Sequence, residues 1–220
     1  MSSTEAWGKK RAESFAKPGM TPVYAAMASR ITADWANSSG KFTFLDLGTG
    51  VGLLPVEVKK LHPHAQVIGV DPSQAMLDLA RRNAVSSGLS GIEIKIGKAE
   101  EIPVESESVD LVMAQFSLHE WDDLNKGFSE ITRVLRQNGT LVIRAWNRSC
   151  PFWKFLKHNL IHMFKYGWSR AKEARSSRRR SYPFRLVMDL VHRYDLVPIE
   201  MEDDVILFIK AKKAPCSPSS

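Results

Sequence analysis

A doubly wound α/β fold, with a mostly parallel sheet and helices on both faces, is predicted by three observations. Short apolar segments alternate with amphipathic ones from Phe42 to Trp146. Apolar strands alternating with helices are the pattern of a parallel sheet buried on both faces. The first of these strands, Phe42–Leu47, carries Asp46 and runs directly into the loop Gly48-Thr49-Gly50-Val51-Gly52. The second, Gln66–Val70, ends in Asp71, 19 positions beyond Gly52 (71 − 52).

The elements follow in order. Residues 1–17 are charged, and Thr21-Pro22 opens a helix over Val23–Trp35, with Tyr24, Met27, Ile31 and Trp35 at helical spacing. Asn37–Gly40 ends it, so that residues 1–36 form an N-terminal helical cap. A helix over Leu53–Leu61 stops near Pro63. Gln74–Val85 is a helix burying Met76, Leu77, Ala80 and Ala84, and Ser86-Ser87-Gly88 stops it. The third strand is Ile92–Ile96 and the fourth Val109–Ala114, with a polar, acidic loop Pro103–Ser108 between them. Leu124–Leu135 presents Leu124, Phe128, Ile131 and Leu135 to the sheet, and Asn138-Gly139 turns into a fifth strand, Thr140–Trp146. Phe184–Tyr194 is a helix. The last strands, Val197–Met201 and Val205–Lys210, are joined only by Glu202-Asp203-Asp204, which permits only an antiparallel pair.

Composition sets bounds. With 220 residues, 44% hydrophobic and 25% charged, the chain reads as one globular domain over 1–213 with a disordered tail, 214–220. No apolar run approaches the roughly 20 residues needed to cross a bilayer. Met1–Arg11 lacks the apolar centre of a signal peptide. Cys150 and Cys216 make neither a disulfide framework nor a metal cluster. A cytoplasmic setting and no metal are expected.

Glycines at a strand-to-helix bend permit a tight turn and close approach of a ligand to the backbone. The amides opening the next helix face that ligand. The loop therefore reads as a nucleotide-like cofactor site. Its spacing, Asp-x-Gly-x-Gly-x-Gly, differs from the Gly-x-Gly-x-x-Gly of dinucleotide enzymes and disfavours a nicotinamide dehydrogenase. Asp71 is suited to accept both ribose hydroxyls, or else to cap the helix that follows Pro72.

Leu45-Asp46-Leu47-Gly48-Thr49-Gly50-Val51-Gly52 and Val70-Asp71-Pro72-Ser73-Gln74-Ala75-Met76-Leu77 carry a family resemblance. Ala99-Glu100-Glu101-Ile102-Pro103, Val109–Val112, Ser117-Leu118-His119 and Arg133–Leu141 extend it. The chain resembles a class I S-adenosylmethionine-dependent methyltransferase of the small-molecule, quinone-biosynthesis-like group. The likeness is strong from Phe42 to Ile143, weak before residue 40 and absent from 148 to 182. It implies a seven-stranded Rossmann-like sheet with one antiparallel strand, Val205–Lys210, and S-adenosylmethionine as cofactor. The cofactor-binding residues it implies are Asp46, Gly48, Thr49, Gly50, Gly52, Asp71, Pro72, Met76, Ala99, Glu100 and Gln115.

Within that set, Gly48 and Gly50 offer close backbone approach and Gly52 serves helix–sheet packing. Asp46 either meets the methionine moiety or orders the loop. The family's usual adenine-binding acid precedes the alanine, where this chain has Lys98, so Glu100 or the Lys98 backbone takes that part. Gln115, Phe116 and His119 follow the fourth strand, and His119 is either a general base or a pocket wall.

The segment 148–182 is read as an insert over the substrate. Phe152, Phe155, Leu156, Met163 and Phe164 form one side of it, and Lys154, Lys157, His158 and Lys165 the other. It fits a lid, a membrane-surface helix, a dimer contact or a helix packed on the core. His158 and His162 are four apart but lack partner acids for a metal. Much of the net charge of +7 falls on Lys165, Arg170, Lys172, Arg175, Arg178, Arg179, Arg180 and Arg185. That cluster suits an anionic membrane, RNA or acidic substrate, or is a solvated mobile loop. The insert is expected to be more mobile than the sheet. The expected function is methyl transfer to a small or lipophilic molecule. The alternatives are an RNA or protein methyltransferase using the basic insert, and a non-catalytic S-adenosylmethionine-binding subunit. Ala114-Gln115-Phe116-Ser117 stands where base or amide methylation would have Asn/Asp-Pro-Pro-Tyr.

Overall fold

The computed structural model describes residues 21–35 and 41–215. One sheet holds β1 (Thr43–Leu47), β2 (Gln66–Asp71), β3 (Ile92–Ile96), β4 (Val109–Gln115), β5 (Leu135–Trp146), β6 (Leu196–Glu202) and β7 (Ile206–Lys213). Their order is β3-β2-β1-β4-β5-β7-β6. Strands β1 to β5 pair in parallel, and β7 runs antiparallel between β5 and β6. The sheet is thus the expected seven-stranded one, and β7 is its antiparallel strand. Strand order reverses between β1 and β4, which opens a crevice at their carboxyl ends.

Helices cover both faces. On one, α1 (Thr21–Ile31) and α2 (Leu53–Leu61) bury Met27, Ile31, Leu54 and Val58 against Phe44, Met113 and Phe208. On the other, α4 (Leu124–Val134) and α7 (Phe184–Arg193) set Phe128, Ile131, Val187 and Val191 against Leu45, Val112 and Leu141. Between β2 and β3 lies α3 (Gln74–Ser86). Every residue of β1 is buried, Thr43 and Asp46 included, as expected of a central strand covered on both faces.

Several boundaries differ from expectation. The first helix ends at Ile31, and a 3₁₀ turn, Ala33–Trp35, replaces its last residues. The Thr32 hydroxyl donates back to the Ala28 carbonyl at 2.7 Å, a local bond that competes with helix continuation. Strand β5 starts at Leu135 rather than Thr140. Leu135 pairs with Val109 and Thr140 with Leu111, and Asn138, at φ 62, lies in the irregularity between them. Residues 1–20 and 36 of the expected cap, the Asn37–Gly40 stop and residues 216–220 of the expected tail lie outside the described residues.

The insert departs most. It forms two helices, α5 (Phe152–Tyr166) and α6 (Trp168–Arg180), divided by Gly167 at φ 89. The charged stretch read as burying little packs as α6, because Ala171, Ala174 and Ser177 give it a narrow buried face at helical spacing. On α5 the inward residues are Phe155 and Asn159, whereas Phe152, Trp153, Leu156, Leu160, Ile161 and Phe164 are exposed. Of the side expected to be apolar, Phe155 is buried and Met163 half-buried, whereas Phe152, Leu156 and Phe164 face outward. Among the described residues no helix is long and apolar enough to cross a membrane.

Candidate functional site

The glycine loop is tied to β2 by hydrogen bonds. The amides of Gly48 and Thr49 donate to the Val70 carbonyl at 2.8 and 2.9 Å. One residue further, Asp71 accepts from the Gly50 amide through Oδ2 and from the Ser73 amide through Oδ1, each at 2.9 Å. Helix α3 is capped by the Ser73 hydroxyl, so Asp71 is not its N-cap. Each Asp71 oxygen keeps a second lone pair for a ligand hydroxyl. Burial raises the Asp71 carboxyl above its ordinary pKa, the two amides oppose that, and the negative charge of Glu120 adds to it.

The glycines divide their work. All three have left-handed backbones, at φ 82, 55 and 74. A Cβ on Gly48 would meet that of Ser117 at 2.4 Å, and one on Gly52 would meet that of Ala80 at 2.9 Å. Only at Gly50 is there open space. Gly48 therefore admits a side chain of β4's loop, Gly52 admits α3, and Gly50 faces the cleft.

All of the sequence-predicted cofactor residues except Asp46 and Gly52 line one cleft, and His119 lines it too. Asp46 lies buried under the loop, where it accepts the Thr49 hydroxyl at 2.8 Å. Burial pushes its carboxyl up to about 7, the Thr49 bond pulling down and Asp71 pushing further up. Of its two expected parts, ordering the loop is the one this geometry serves.

Ala99 and Glu100 line the cleft beyond β3. Glu100 Oε1 accepts from the amides of Asp122 and Asp123 at 2.8 and 3.1 Å, which draws their loop toward the cleft. Lys98 turns outward to Asp122 at 3.1 Å. Pro72, Met76 and Ala99 supply apolar wall suited to a purine, and Asp71 and the Gly50 amide suit its ribose. The residues present thus fit an adenosyl group.

His119 sits on a buried 3₁₀ turn, Leu118–Glu120, with Nε2 3.4 Å from Glu120 Oε1. The other Glu120 oxygen accepts from Arg180 of α6 at 2.5 Å. Helix α6 thereby becomes a wall, contributing Glu173, Ala174 and Ser177 to the cleft. Arg178 donates inward to the carbonyls of Arg148 and Cys150. The basic run is thus helical over Trp168–Arg180, and two of its arginines bond to other parts of the fold. The side chains of His162, Lys165 and Arg170 lie outside the described residues, and with them the His158–His162 pair. Among the described residues no group of three or more His, Cys, Asp or Glu could hold a metal.

The far wall holds residues that sequence reasoning passed over: Tyr24, Glu120, Arg144 and Trp146. Arg144 had a signal, since it is the one charge in the apolar run Leu141–Trp146.

Residues 45–143 match a family model described as a methyltransferase domain. Over those residues the chain is similar to methyltransferase domains. A demethylmenaquinone methyltransferase of Deinococcus radiodurans is 36% identical over 99 residues, 45% of this chain and 41% of that one. An arsenite methyltransferase of Halobacterium salinarum is 31% identical over 111 residues, 50% of this chain and 28% of that one. The match spans less than half the length of either relative. The structure of a methyltransferase from Aquifex aeolicus aligns over 94% of this chain and 99% of its own, with a TM-score of 0.70 and 17% identity. A geranyl diphosphate C-methyltransferase from Streptomyces coelicolor aligns over 88% of this chain and 80% of its own, with a TM-score of 0.67 and 17% identity. At such identity these methyltransferase structures share the fold.

Proposed function

We propose that this domain binds S-adenosylmethionine in the cleft and transfers its methyl group to a small, lipophilic molecule. The observation that carries the reading is the Asp71–Gly50 pairing at the switch point of the sheet, a carboxylate already oriented by two amides beside a glycine open to the cleft. When bound, the cofactor supplies an electrophilic sulfonium methyl. Asp71 holds the ribose hydroxyls, Pro72, Met76, Ala99 and Glu100 hold the adenine end, and Gly48, Thr49, Gly50 and Gln115 border the methionine end. Helix α6 and Trp121 exclude water from the cleft, which favours transfer between oriented partners. We assign His119 the part of proton acceptor, supported by its place in the cleft wall with Glu120 beside it.

Calorimetry tests this. S-adenosylhomocysteine should bind, NAD should not, and Asp71→Ala should weaken S-adenosylhomocysteine tenfold or more. Affinity unchanged in that variant would remove Asp71 from the ribose site.

A second observation bears on partners. The outward face of α5 joins aromatic and aliphatic side chains to the exposed Lys157 and to Lys154, which pairs with Asp204 at 3.4 Å, and Lys172 and Arg179 are exposed on α6. We infer that this face rests on an anionic lipid surface, which would bring a lipophilic acceptor to the cleft. The polyanion-binding alternative is weakened because Arg178 and Arg180 are already engaged, the first by the Cys150 carbonyl and the second by Glu120. Phosphatidylglycerol vesicles should retain the protein and Trp153→Ser with Phe164→Ser should release it. Retention by RNA and not by vesicles would favour the nucleic-acid reading instead.

A further inference from the structure

Taking methyl transfer in this cleft as given, we infer that Arg144 is the anion-recognising residue of the acceptor pocket, and that the acceptor is a carboxylate on a flat, aromatic body. Strand register puts Arg144 opposite Gln115 of β4 and Phe208 of β7. All three side chains share one face, and Arg144 and Gln115 line the cleft at the carboxyl end of the sheet.

Arg144 makes no side-chain hydrogen bond or ion pair among the described residues, its one contact of note being the Phe116 ring, 4.8 Å away. The acids on the neighbouring edge are taken. Glu200 and Glu202 both accept from Arg30, at 2.5 and 2.7 Å. Around Arg144, Tyr24, Arg30, Glu202 and His158 are the charged and titratable groups within electrostatic range. A guanidinium drawn out of water with no anion beside it is costly, and burial accordingly lowers its pKa. Such an arrangement is relieved by an anion arriving with the ligand, and the planar fork of Arg matches a carboxylate with two parallel bonds.

The surroundings choose the class of anion. Lys98 is the other cation in the wall, and Asp122 holds it. Asp71, Glu100, Glu120, Asp122 and Glu173 make the rest of the lining acidic. One guanidinium in that field suits a single negative charge and not a diphosphate such as the one named with the Streptomyces coelicolor structure.

They also choose the body that bears it. Phe116 has a left-handed backbone, φ 53, which a non-glycine residue rarely adopts. Its ring packs against that of Trp146 at 5.4 Å, tilted by 35°, so that two aromatic side chains border the cleft beside the guanidinium and offer a wall to a flat ring. Gln115 Oε1 is buried without a hydrogen-bond partner and would accept from a hydroxyl on the same ring.

The test titrates benzoate and benzamide into protein saturated with S-adenosylhomocysteine. Benzoate should bind at least tenfold more tightly than its neutral isostere. Arg144→Met should abolish that preference while S-adenosylhomocysteine affinity and Tm hold, and Arg144→Lys should keep part of it. Equal binding of the two probes would overturn the assignment. So would a tenfold loss of S-adenosylhomocysteine affinity in Arg144→Met, which would give the guanidinium to the cofactor's own carboxylate. If S-adenosylhomocysteine fails to bind the parent, the cofactor reading falls, and the same two titrations on ligand-free protein judge Arg144 alone.

Discussion

Gly48 and Ser117 occupy each other's space: a Cβ on the first would lie 2.4 Å from that of the second. Ser117 also donates to the Leu47 carbonyl at 2.9 Å, so it cannot withdraw without losing a buried bond. The glycine loop and the end of β4 are thus one packed unit, and the cleft lies between their outer surfaces.

Gly48→Ala should consequently destabilise the fold by about 2–4 kcal/mol, combining overpacking with a left-handed backbone. Adding Ser117→Gly should recover part of that loss, read from urea unfolding midpoints. If the two costs simply add, the contact is not the cause.

Gly50→Ala is expected to behave differently. Nothing stands within 4 Å of the added methyl, so stability should fall only by the backbone cost of about 1–2 kcal/mol. The methyl would stand in the cleft, and S-adenosylhomocysteine affinity should drop tenfold or more. A variant that binds as the parent does would show that the ligand keeps clear of this glycine.

The Asp46 carboxyl gives a pH signature. Its folded pKa of about 7 lies above its value in an unfolded chain, so the native state binds the extra proton. Stability from this group is full below pH about 4, falls as pH rises toward 7, and is flat beyond, a total of about 4 kcal/mol. Asp46→Asn should remove that slope and still accept from Thr49. Unfolding free energies of both proteins at pH 4 to 8 decide it, and parallel curves would refute a buried titrating Asp46.

Arg180 and Glu120 hold α6 over the cleft through one short ion pair. Arg180→Ala should free the end of that helix, and trypsin should then cut within Lys172–Arg179 several-fold faster than in the parent. Unchanged cleavage would mean that Ala171, Ala174 and Ser177 anchor α6 by themselves.

For His119, the expected pattern in His119→Gln is a 10²–10⁴-fold loss of turnover with an aromatic acid acceptor, and cofactor affinity within threefold of the parent. Lost affinity with retained turnover at saturation would make it a wall of the pocket.

What the chain alone determined is local. The glycine loop, Asp71 and the apolar strands were legible because each answers a requirement met within a few residues: a left-handed turn, a strand end, a buried face. So was the antiparallel pair at the end, since three residues cannot bridge parallel strands. The tertiary structure alone decided which of these groups meet. Asp46 and Gly52 belong to the motif, yet folding puts them beneath the ligand face and leaves Gly50 on it. Glu120 becomes a strut only when Arg180, sixty residues later, reaches it. Arg144 stands without an ion pair among the described residues, while Arg30, from a distant helix, holds Glu200 and Glu202. On α6 the buried face is made of small residues, which carry little hydrophobic signal in a charged stretch and pack only against a surface the sequence cannot display. Long-range pairings of this kind depend on strand order and on the approach of distant elements, and no local pattern encodes them.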